Sequence, residues 1–305
     1  MVASTLDPQR ILTILGLTGA SRAERITGGW GGTVTWRIER DGVVQALRVF
    51  PSGAMDAAAR ETAAMEAALA AGVPAPIVDR TGSSDGCPVM LTSWCPGQTG
   101  PEALRAAPWG VWSFGSDMGR VQARLHRVTA PDIVRDRTGD WISWAGEAEA
   151  DLQGQLRALP PRDDALLHLD YHPRNILFDQ GRVTGVIDWE NVRAGDPRAD
   201  VARTRTILWL AKYSPDVSRL SIPILQLLEA GWLRGYQREA GRLQDMALFE
   251  AWAYAALVAD LSPKLGKPDV WLQTVHLSAI RRRLIMLKRE AGLSVAADTD
   301  DPDGG

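Results

Sequence analysis

The chain has 305 residues, of which 45% are hydrophobic and 23% charged, the composition of a globular protein that can bury a substantial core. A formal net charge of −3 provides no positive field for nucleic acid, and no stretch stays apolar for long enough to span a bilayer. The first ten residues lack the pattern of a secretory signal, and the two cysteines form neither a disulfide framework nor a zinc motif. We therefore predict a cytoplasmic protein with no nucleic-acid partner and no membrane partner.

The first hundred residues predict a strand-rich region with two helices. Residues 6–17 begin with a helix-start pattern, and the alanine-rich stretch 53–72 predicts a longer helix. Alternating apolar and polar residues predict antiparallel strands over 25–50 and a further strand over 87–94. Residues 73–80 contain two prolines, which favour an extended segment.

A proline- and glycine-containing break at 95–101 predicts a hinge, and the pattern beyond it is mainly helical. The predicted helices span 113–128, 141–159, 197–212, 217–239, 243–261 and 271–290. This order predicts an α+β fold with two lobes, a small antiparallel-sheet lobe over residues 1–97 and a larger helical lobe over residues 98–297. The acidic, small-residue tail at 298–305 is predicted to be disordered.

One polar segment interrupts the helical lobe. Residues 176–178 and 183–187 predict two short strands joined by a turn, and this hairpin brings Asn175 close to Asp188. Two oxygen donors side by side suit a hard cation, and Mg²⁺ with phosphates is the natural occupant. Asp170 lies on the same loop, five residues before Asn175, within reach of a substrate hydroxyl beside that metal.

The spacing H-x-D-x-x-x-x-N, followed by a hairpin and an aspartate, is that of the kinase catalytic loop and its metal-binding aspartate. It predicts Asp170 as the catalytic base and Asn175 and Asp188 as Mg²⁺ ligands. His168 is predicted to brace the loop, as is His172.

The motifs HLDYHPRN (168–175), VIDWENVRAGDPRADVA (186–202) and GRVQARLHRV (119–128) resemble the aminoglycoside phosphotransferase and choline kinase-like family. The resemblance covers residues from about 25 to 212. It implies a protein-kinase-like fold and a Mg²⁺-dependent transfer of the γ-phosphate of ATP or GTP to a small-molecule hydroxyl, with antibiotics among the candidate acceptors.

The same resemblance implies a nucleotide site in the smaller lobe. The segment TGGWGGTVTWRI resembles the family's nucleotide loop, whose backbone N–H groups approach phosphate, and it contributes Gly29, Gly31 and Gly32. QALRVF resembles the strand that bears the phosphate-binding cation, with Arg48 where the family usually has lysine. Glu61 is assigned as the helix carboxylate that pairs with this arginine.

Further positions follow from the resemblance. Glu66 is the alternative partner for Arg48. VMLTSWCPG resembles the segment whose backbone meets the adenine edge, around Ser93, Trp94 and Cys95. Asp200 in DPRADVA resembles the helix aspartate that hydrogen-bonds the catalytic loop from below.

The central motif also departs from the family's usual H-G-D-L-H-P-G-N. Leu169, Tyr171 and Arg174 replace glycine, leucine and glycine, and none of these changes removes a catalytic atom. Arg174 adds positive charge next to the metal position, and it is a candidate contact to substrate or phosphate, as is Glu190.

Two alternatives remain open. A catalytically silent nucleotide-binding module is favoured by the arginine in place of lysine and disfavoured by the intact catalytic and metal positions. A protein kinase is disfavoured because too few residues separate Asp188 from Asp200 for an activation segment. Residues 98–297 contain 24 acidic and 26 basic residues, which gives no support for a polycationic acceptor. Aminoglycosides, macrolides, sugars and amino alcohols are equally open.

Overall fold

A computed structural model describes the protein over residues 7–17, 19–26, 32–135, 141–160, 162, 164–215, 217–267 and 271–294. Gly29 and Gly31 of the predicted nucleotide loop lie outside these ranges, as does the predicted tail at 298–305.

The smaller lobe is built on an antiparallel sheet with the strand order β1-β2-β3-β5-β4. Its strands are β1 (Arg22–Ile26), β2 (Val34–Arg40), β3 (Val43–Val49), β4 (Val78–Ser84) and β5 (Cys87–Ser93), and its helices are α1 (Pro8–Ile14) and α2 (Met55–Ala70).

The two faces of this sheet meet different helices. Trp36, Leu47 and Leu91 are opposite one another across β2, β3 and β5, and they share a buried cluster with Ile11 of α1. Alternate residues point to the other face, where Met90 is buried in the cluster that includes α2 residues. This second face carries Arg48, which is paired in register with Met90.

The larger lobe is mainly helical. Its helices are α3 (Gly100–Ala106), α4 (Val111–Leu125), α5 (Asp132–Arg135), α6 (Ala150–Arg157), α7 (Pro197–Ala211), α8 (Ile222–Ala240), α9 (Met246–Leu261) and α10 (Thr274–Glu290). Its strands are β6 (Gln98–Thr99), β7 (Ala165–Leu167), β8 (Ile176–Asp179), β9 (Arg182–Val186) and β10 (Arg193–Gly195), and they form the sheets β6-β8-β9 and β10-β7. None of the helices in the described part of the chain is long and apolar enough to cross a membrane.

Helices α4 and α8 pack backbone against backbone through four glycines. A Cβ atom built on Gly119 would lie 1.9 Å from the carbonyl oxygen of Trp232, and one on Gly235 would lie 2.0 Å from that of Ser116. Gly115 and Gly231 meet the opposite helix in the same way. Side chains larger than hydrogen therefore do not fit in this glycine seam, the contact between α4 and α8 at these four positions.

Pro96 and Gly97, which follow the sheet of the smaller lobe, contact the β8–β9 hairpin. The Thr184 hydroxyl donates to the carbonyl oxygen of Pro96 at 2.6 Å. Gly97 has a φ of +108°, and a Cβ atom there would lie 2.5 Å from the carbonyl oxygen of Phe178. Only glycine combines this backbone angle with so close an approach.

The predicted α+β class and two-lobed order are confirmed, and one predicted helix is wrong. Residues 141–159 form two short 3₁₀ turns, Trp141–Ala145 and Glu147–Glu149, before α6 begins at Ala150. Gly146 separates the turns with a φ of +84°, which ends any helix at that point.

Candidate active site

The loop between β7 and β8 carries the predicted catalytic residues. Asn175 is buried at its end, and its side-chain amide donates to both the carbonyl oxygen and the Oδ2 atom of Asp170, each at 3.0 Å. Since the amide nitrogen is occupied by these bonds, the Asn175 Oδ1 atom points away from them. The structure thus brings the two predicted residues into direct contact.

Two histidines hold Asp170 from either side. His172 Nε2 lies 3.5 Å from Asp170 Oδ1, while His172 Nδ1 accepts the backbone N–H of Arg174 at 3.2 Å. His168 Nδ1 accepts the backbone N–H of Asp170 at 3.3 Å, and His168 Nε2 donates to the Ile187 carbonyl at 3.0 Å. One neutral tautomer of His168 satisfies both bonds.

The pKa values of the loop agree with this arrangement. Burial lowers the pKa of His168, although three nearby carboxylates oppose that shift. Burial by itself would raise the pKa of Asp170, but the hydrogen bond and charge interaction with His172, together with His168 and Arg203, lower it to about 2. Asp170 is therefore ionised at neutral pH and is a weak base in the ground state.

Asp200 on α7 supports the loop from below. Its carboxylate is fully buried and accepts the backbone N–H groups of His168 at 3.1 Å and Leu169 at 2.8 Å. It also accepts a hydrogen bond from Nε2 of His126, the residue that follows α4, at 2.9 Å, and His126 Nδ1 lies 2.8 Å from the Tyr236 hydroxyl of α8. Leu169 has a φ of +59°, a strained angle for leucine, so these bonds hold a turn that the chain would not otherwise favour.

The hairpin places Asp188 beside Asn175. The Ile187 N–H donates to the Asn175 carbonyl at 2.9 Å. Asp188 follows Ile187 directly, so this bond keeps it next to Asn175. Asp188 is exposed, with a φ of +65°. Within the described ranges, no hydrogen bond is made by its carboxylate or by the Asn175 Oδ1 atom.

Negative charge accumulates around this position. Burial raises the pKa of Glu190, and the carboxylates of Asp188 and Asp170 raise it further, although Arg48 opposes them. Burial also raises the pKa of Glu61 against the effect of Arg48, with Asp188 and Glu190 adding to the rise. A divalent cation would stabilise carboxylates that lie this close together, so the oxygen donors of Asn175 and Asp188 fit a Mg²⁺ site.

The cation of β3 forms an ion pair with helix α2. The guanidinium group of Arg48 binds the carboxylate of Glu61, whose side chain is 2% exposed, and lies 5.0 Å from the centre of the Phe50 ring. Glu66 is exposed and contacts neither group. Of the two predicted partners for Arg48, the structure thus selects Glu61.

The remaining predicted nucleotide residues that the structure describes are Gly32 and the stretch from Ser93 to Cys95. Gly32 has a φ of +75°. The Ser93 N–H donates to the Ile77 carbonyl at 2.8 Å and the Trp94 N–H to the Val44 carbonyl at 3.3 Å, which ties this stretch to the sheet.

Cys95 is buried at the end of this stretch, and burial raises the pKa of its thiol to about 11. A Cβ atom on Gly185 of β9 would lie 2.7 Å from the Cys95 Cβ atom. The predicted adenine-binding segment therefore runs directly into the hairpin that carries Asp188. Arg174, the predicted contact to substrate or phosphate, is exposed.

A cavity of about 670 Å³ opens next to Asp170. His172, Glu190, Asn191 and Arg203 line it close to the catalytic loop. Its far side is lined by residues of α7, α9 and the segments that follow, namely Leu210, Ala256, Asp260, Leu261, Lys264, Trp271 and Leu272, and by Trp144. Its size is that of small-molecule sites in proteins.

Comparison with known proteins decides the family. The model of the phosphotransferase enzyme family matches residues 22–252. The chain belongs to the phosphotransferase enzyme family. This confirms the resemblance given by the motifs of the catalytic loop.

Solved structures of aminoglycoside phosphotransferases have a similar fold. A thermostable mutant of aminoglycoside phosphotransferase APH(4)-Ia, solved in complex with AMP-PNP and hygromycin B, has a TM-score of 0.64 and 17% identity, over 95% of this chain and 100% of that one. APH(3'')-Id from Streptomyces rimosus has a TM-score of 0.56 and 18% identity, over 83% and 98%. Identities this low show the fold alone, and they confirm the kinase-like, two-lobed architecture.

Two curated relatives match shorter parts of the chain. Mouse acyl-CoA dehydrogenase family member 10 is 29% identical over 219 residues, which are 59% of this chain and 20% of that protein. Protein YcbJ of Bacillus subtilis is 46% identical over 109 residues, which are 35% and 34% of the two chains. The chain therefore spans a fifth and about a third of the lengths of these relatives.

Three residues that support the catalytic loop of this protein were not predicted from the sequence. His126 sits in a helical pattern that predicts a packing or surface residue, yet it is hydrogen-bonded to Asp200. Arg203 follows the Asp200 motif by three residues, and this i, i+3 spacing is the one signal that places both on the same helix face. The Tyr171 hydroxyl donates to the Met118 carbonyl at 2.8 Å, a bond that joins the catalytic loop to α4.

Proposed function

We propose that the protein transfers the γ-phosphoryl group of ATP or GTP to a hydroxyl group of a small molecule. The contact between Asp170 and Asn175 at the mouth of a cavity, with Asp188 beside it, is the observation that carries this proposal. The family match supports phosphoryl transfer, and a relative of the same fold has been solved with AMP-PNP and hygromycin B. A cytoplasmic location, where both nucleotides are supplied, belongs to the same proposal.

Each residue then has a defined role. Asp170 accepts a hydrogen bond from the acceptor hydroxyl and aligns it with the γ-phosphorus. A new O–P bond forms as the bond between the γ-phosphorus and the β,γ-bridging oxygen breaks, the nucleoside diphosphate leaves, and the hydroxyl proton passes to Asp170 or to the transferred phosphate. With a pKa of about 2, Asp170 mainly orients the hydroxyl, since the transition state of phosphoryl transfer demands little nucleophilic help.

Asn175 and Asp188 are the proposed ligands of Mg²⁺, which neutralises charge on the β- and γ-phosphates when it is bound. Arg48, held by Glu61, is proposed to contact the nucleotide phosphates from the smaller lobe. Gly29, Gly31 and Gly32 would let backbone N–H groups approach those phosphates, and the backbone from Ser93 to Cys95 would meet the base. Residues 1–97 would thus hold the nucleotide and residues 98–297 the acceptor.

The test compares two aspartate-to-asparagine variants of the same region. Asp170→Asn removes the charge that orients the hydroxyl, whereas Asp179→Asn changes an exposed residue at the end of β8. Nucleotide turnover is measured with Mg²⁺ and with ATP or GTP, against aminoglycosides, macrolides, sugars and amino alcohols. Binding of Mg²⁺ and AMP-PNP is followed by the rise in melting temperature.

We expect Asp170→Asn to lower kcat by roughly 100-fold or more while it leaves nucleotide binding intact, and Asp179→Asn to behave as wild type. Unchanged turnover in Asp170→Asn would refute the catalytic assignment. Nucleotide binding in the wild type without transfer to any acceptor class would favour a silent nucleotide-binding module.

A further inference from the structure

The cavity beside Asp170 has one apolar wall. This wall is formed by Trp144 and Trp271, together with the buried side chains of Ala256 and Leu272. Rings and hydrocarbon chains gain most from such a wall, because it removes their surface from water. A fully hydrophilic molecule would gain nothing from this apolar surface.

Arg203 is the unusual feature of the polar side. It lies on α7, is only 9% exposed, and lines the cavity together with Asp170. Its Nε atom makes a long bond of 3.4 Å to the carbonyl oxygen of Leu169, the residue that precedes Asp170. Among the residues that the structure describes, its Nη1 atom is buried without a hydrogen-bond partner. A buried guanidinium donor without a partner is costly, so this atom needs an oxygen acceptor.

The other charges of the cavity do not supply that acceptor. Asp260 is engaged by Lys264 at 2.6 Å, one turn further along the chain. Asp170 is held by Asn175 and His172. Three carboxylates, Asp170, Glu190 and Asp260, and two cations, Arg203 and Lys264, line the cavity, so its charge is close to balanced. A polycation requires a more strongly acidic surface.

We propose that this cavity binds an amphipathic alcohol that carries an oxygen acceptor next to the reacting hydroxyl, and that Arg203 donates a hydrogen bond to this acceptor. The acceptor is a carboxylate or a second hydroxyl, and the apolar remainder lies against Trp144 and Trp271. Arg203 bonds to Leu169, the neighbour of Asp170, and both Arg203 and Asp170 line the cavity. The oxygen acceptor of the ligand is therefore on the carbon atom next to the one that carries the reacting hydroxyl. This inference rests on the proposed phosphotransferase function and names its substrate class.

Three compounds test it, since they share the same phenyl ring and secondary hydroxyl and differ at one carbon. They are 3-phenyllactate with a carboxylate, 3-phenylpropane-1,2-diol with a hydroxymethyl group, and 1-amino-3-phenylpropan-2-ol with an ammonium group. Binding to the full chain is measured by calorimetry without nucleotide, and phosphorylation is measured separately with Mg²⁺ and ATP or GTP. Binding therefore reports on the cavity even where transfer fails.

We expect the acid or the diol to bind at least tenfold more tightly than the amine in the wild type. Arg203→Met should remove that preference, and Arg203→Lys should restore part of it for the acid, because lysine keeps the charge but not the geometry of the donors. Arg205→Met is the matched control on the same helix, because Arg205 pairs with Glu250 and does not line the cavity. Trp271→Ala, at a partly exposed position, should weaken all three compounds equally and remains informative if the Arg203 variants do not fold.

Three results would overturn the inference: tighter binding of the amine, binding of none of the three compounds at millimolar concentration, or an equal effect of Arg203→Met on all three. Selective binding that depends on Arg203, together with no phosphorylation of any of the compounds that bind, would instead reject the proposed phosphotransferase function.

Discussion

Replacing Gly119 by alanine should force helices α4 and α8 apart. The new methyl carbon would lie 1.9 Å from the Trp232 carbonyl oxygen and 2.6 Å from the Tyr236 backbone nitrogen, whereas ordinary contact begins at 3.4 Å. The seam must therefore open by about 1.5 Å at this point, the difference between 3.4 and 1.9 Å. Both clashing atoms belong to the backbone, so no side-chain rotation relieves them. We expect a loss of about 3 kcal/mol in the free energy of unfolding, at the upper end of the usual cost of overpacking.

Gly154→Ala is the matched control for this substitution. Gly154 lies within α6 and is exposed, and a Cβ atom there has no neighbour within 4 Å. The same methyl group should stabilise the protein by roughly 0.5–1 kcal/mol through helix propensity and the unfolded chain. Urea denaturation followed by circular dichroism measures both variants. A loss below about 1 kcal/mol for Gly119→Ala would refute the claim that the seam is closed by backbone contact.

Two further predictions concern other buried groups. Asp200→Asn should lower the free energy of unfolding by about 3–5 kcal/mol, because an amide turns an N–H group toward donors that the carboxylate accepts. Burial alone would raise the pKa of Asp200, but the hydrogen bond and charge interaction with His126, together with His168, lower it below the ordinary value of 3.8. The ionised carboxylate therefore stabilises the folded protein above pH 3.8, and this stabilisation is lost as pH falls through the folded-state pKa. Denaturation curves at several pH values should therefore show the wild-type advantage shrinking in acid, and a constant difference would contradict this. Cys95, with a pKa of about 11, should react with iodoacetamide at pH 8 roughly 100-fold more slowly than a free cysteine. Mass spectrometry measures the rate of labelling. Rapid labelling of the folded protein would show that the thiol is not buried.

The catalytic loop was predictable from the sequence because its information is local. Asp170, Asn175 and Asp188 lie within 19 residues, and one tight hairpin is enough to bring them together. The order of strands and helices followed from apolar periodicity in the same way. The wrong helix over 141–159 shows the limit of that reasoning, since the single positive φ of Gly146 overrides a periodic pattern on both sides of it.

Contacts between distant segments were not predictable. The glycine seam joins residues 115–119 to residues 231–235, and nothing in either segment alone shows that its glycines face another backbone. The choice between Glu61 and Glu66 likewise needed the structure. Five residues of helix separate the two by about 140° of rotation, and an alanine-rich helix gives little apolar pattern to show which side faces the sheet. The roles of the predicted site residues remain predictions.

The attachment of Pro96 and Gly97 to the β8–β9 hairpin determines where the two lobes can bend. Thr184 and Phe178 contact this stretch from the larger lobe, so a change in the angle between the lobes must be absorbed before Pro96, in the two residues that follow β5, Trp94 and Cys95. That pivot is the segment proposed to meet the nucleotide base. Occupancy by the base and the angle between the lobes would then be mechanically linked, and the hairpin that presents Asp188 would stay still while the smaller lobe moves over it.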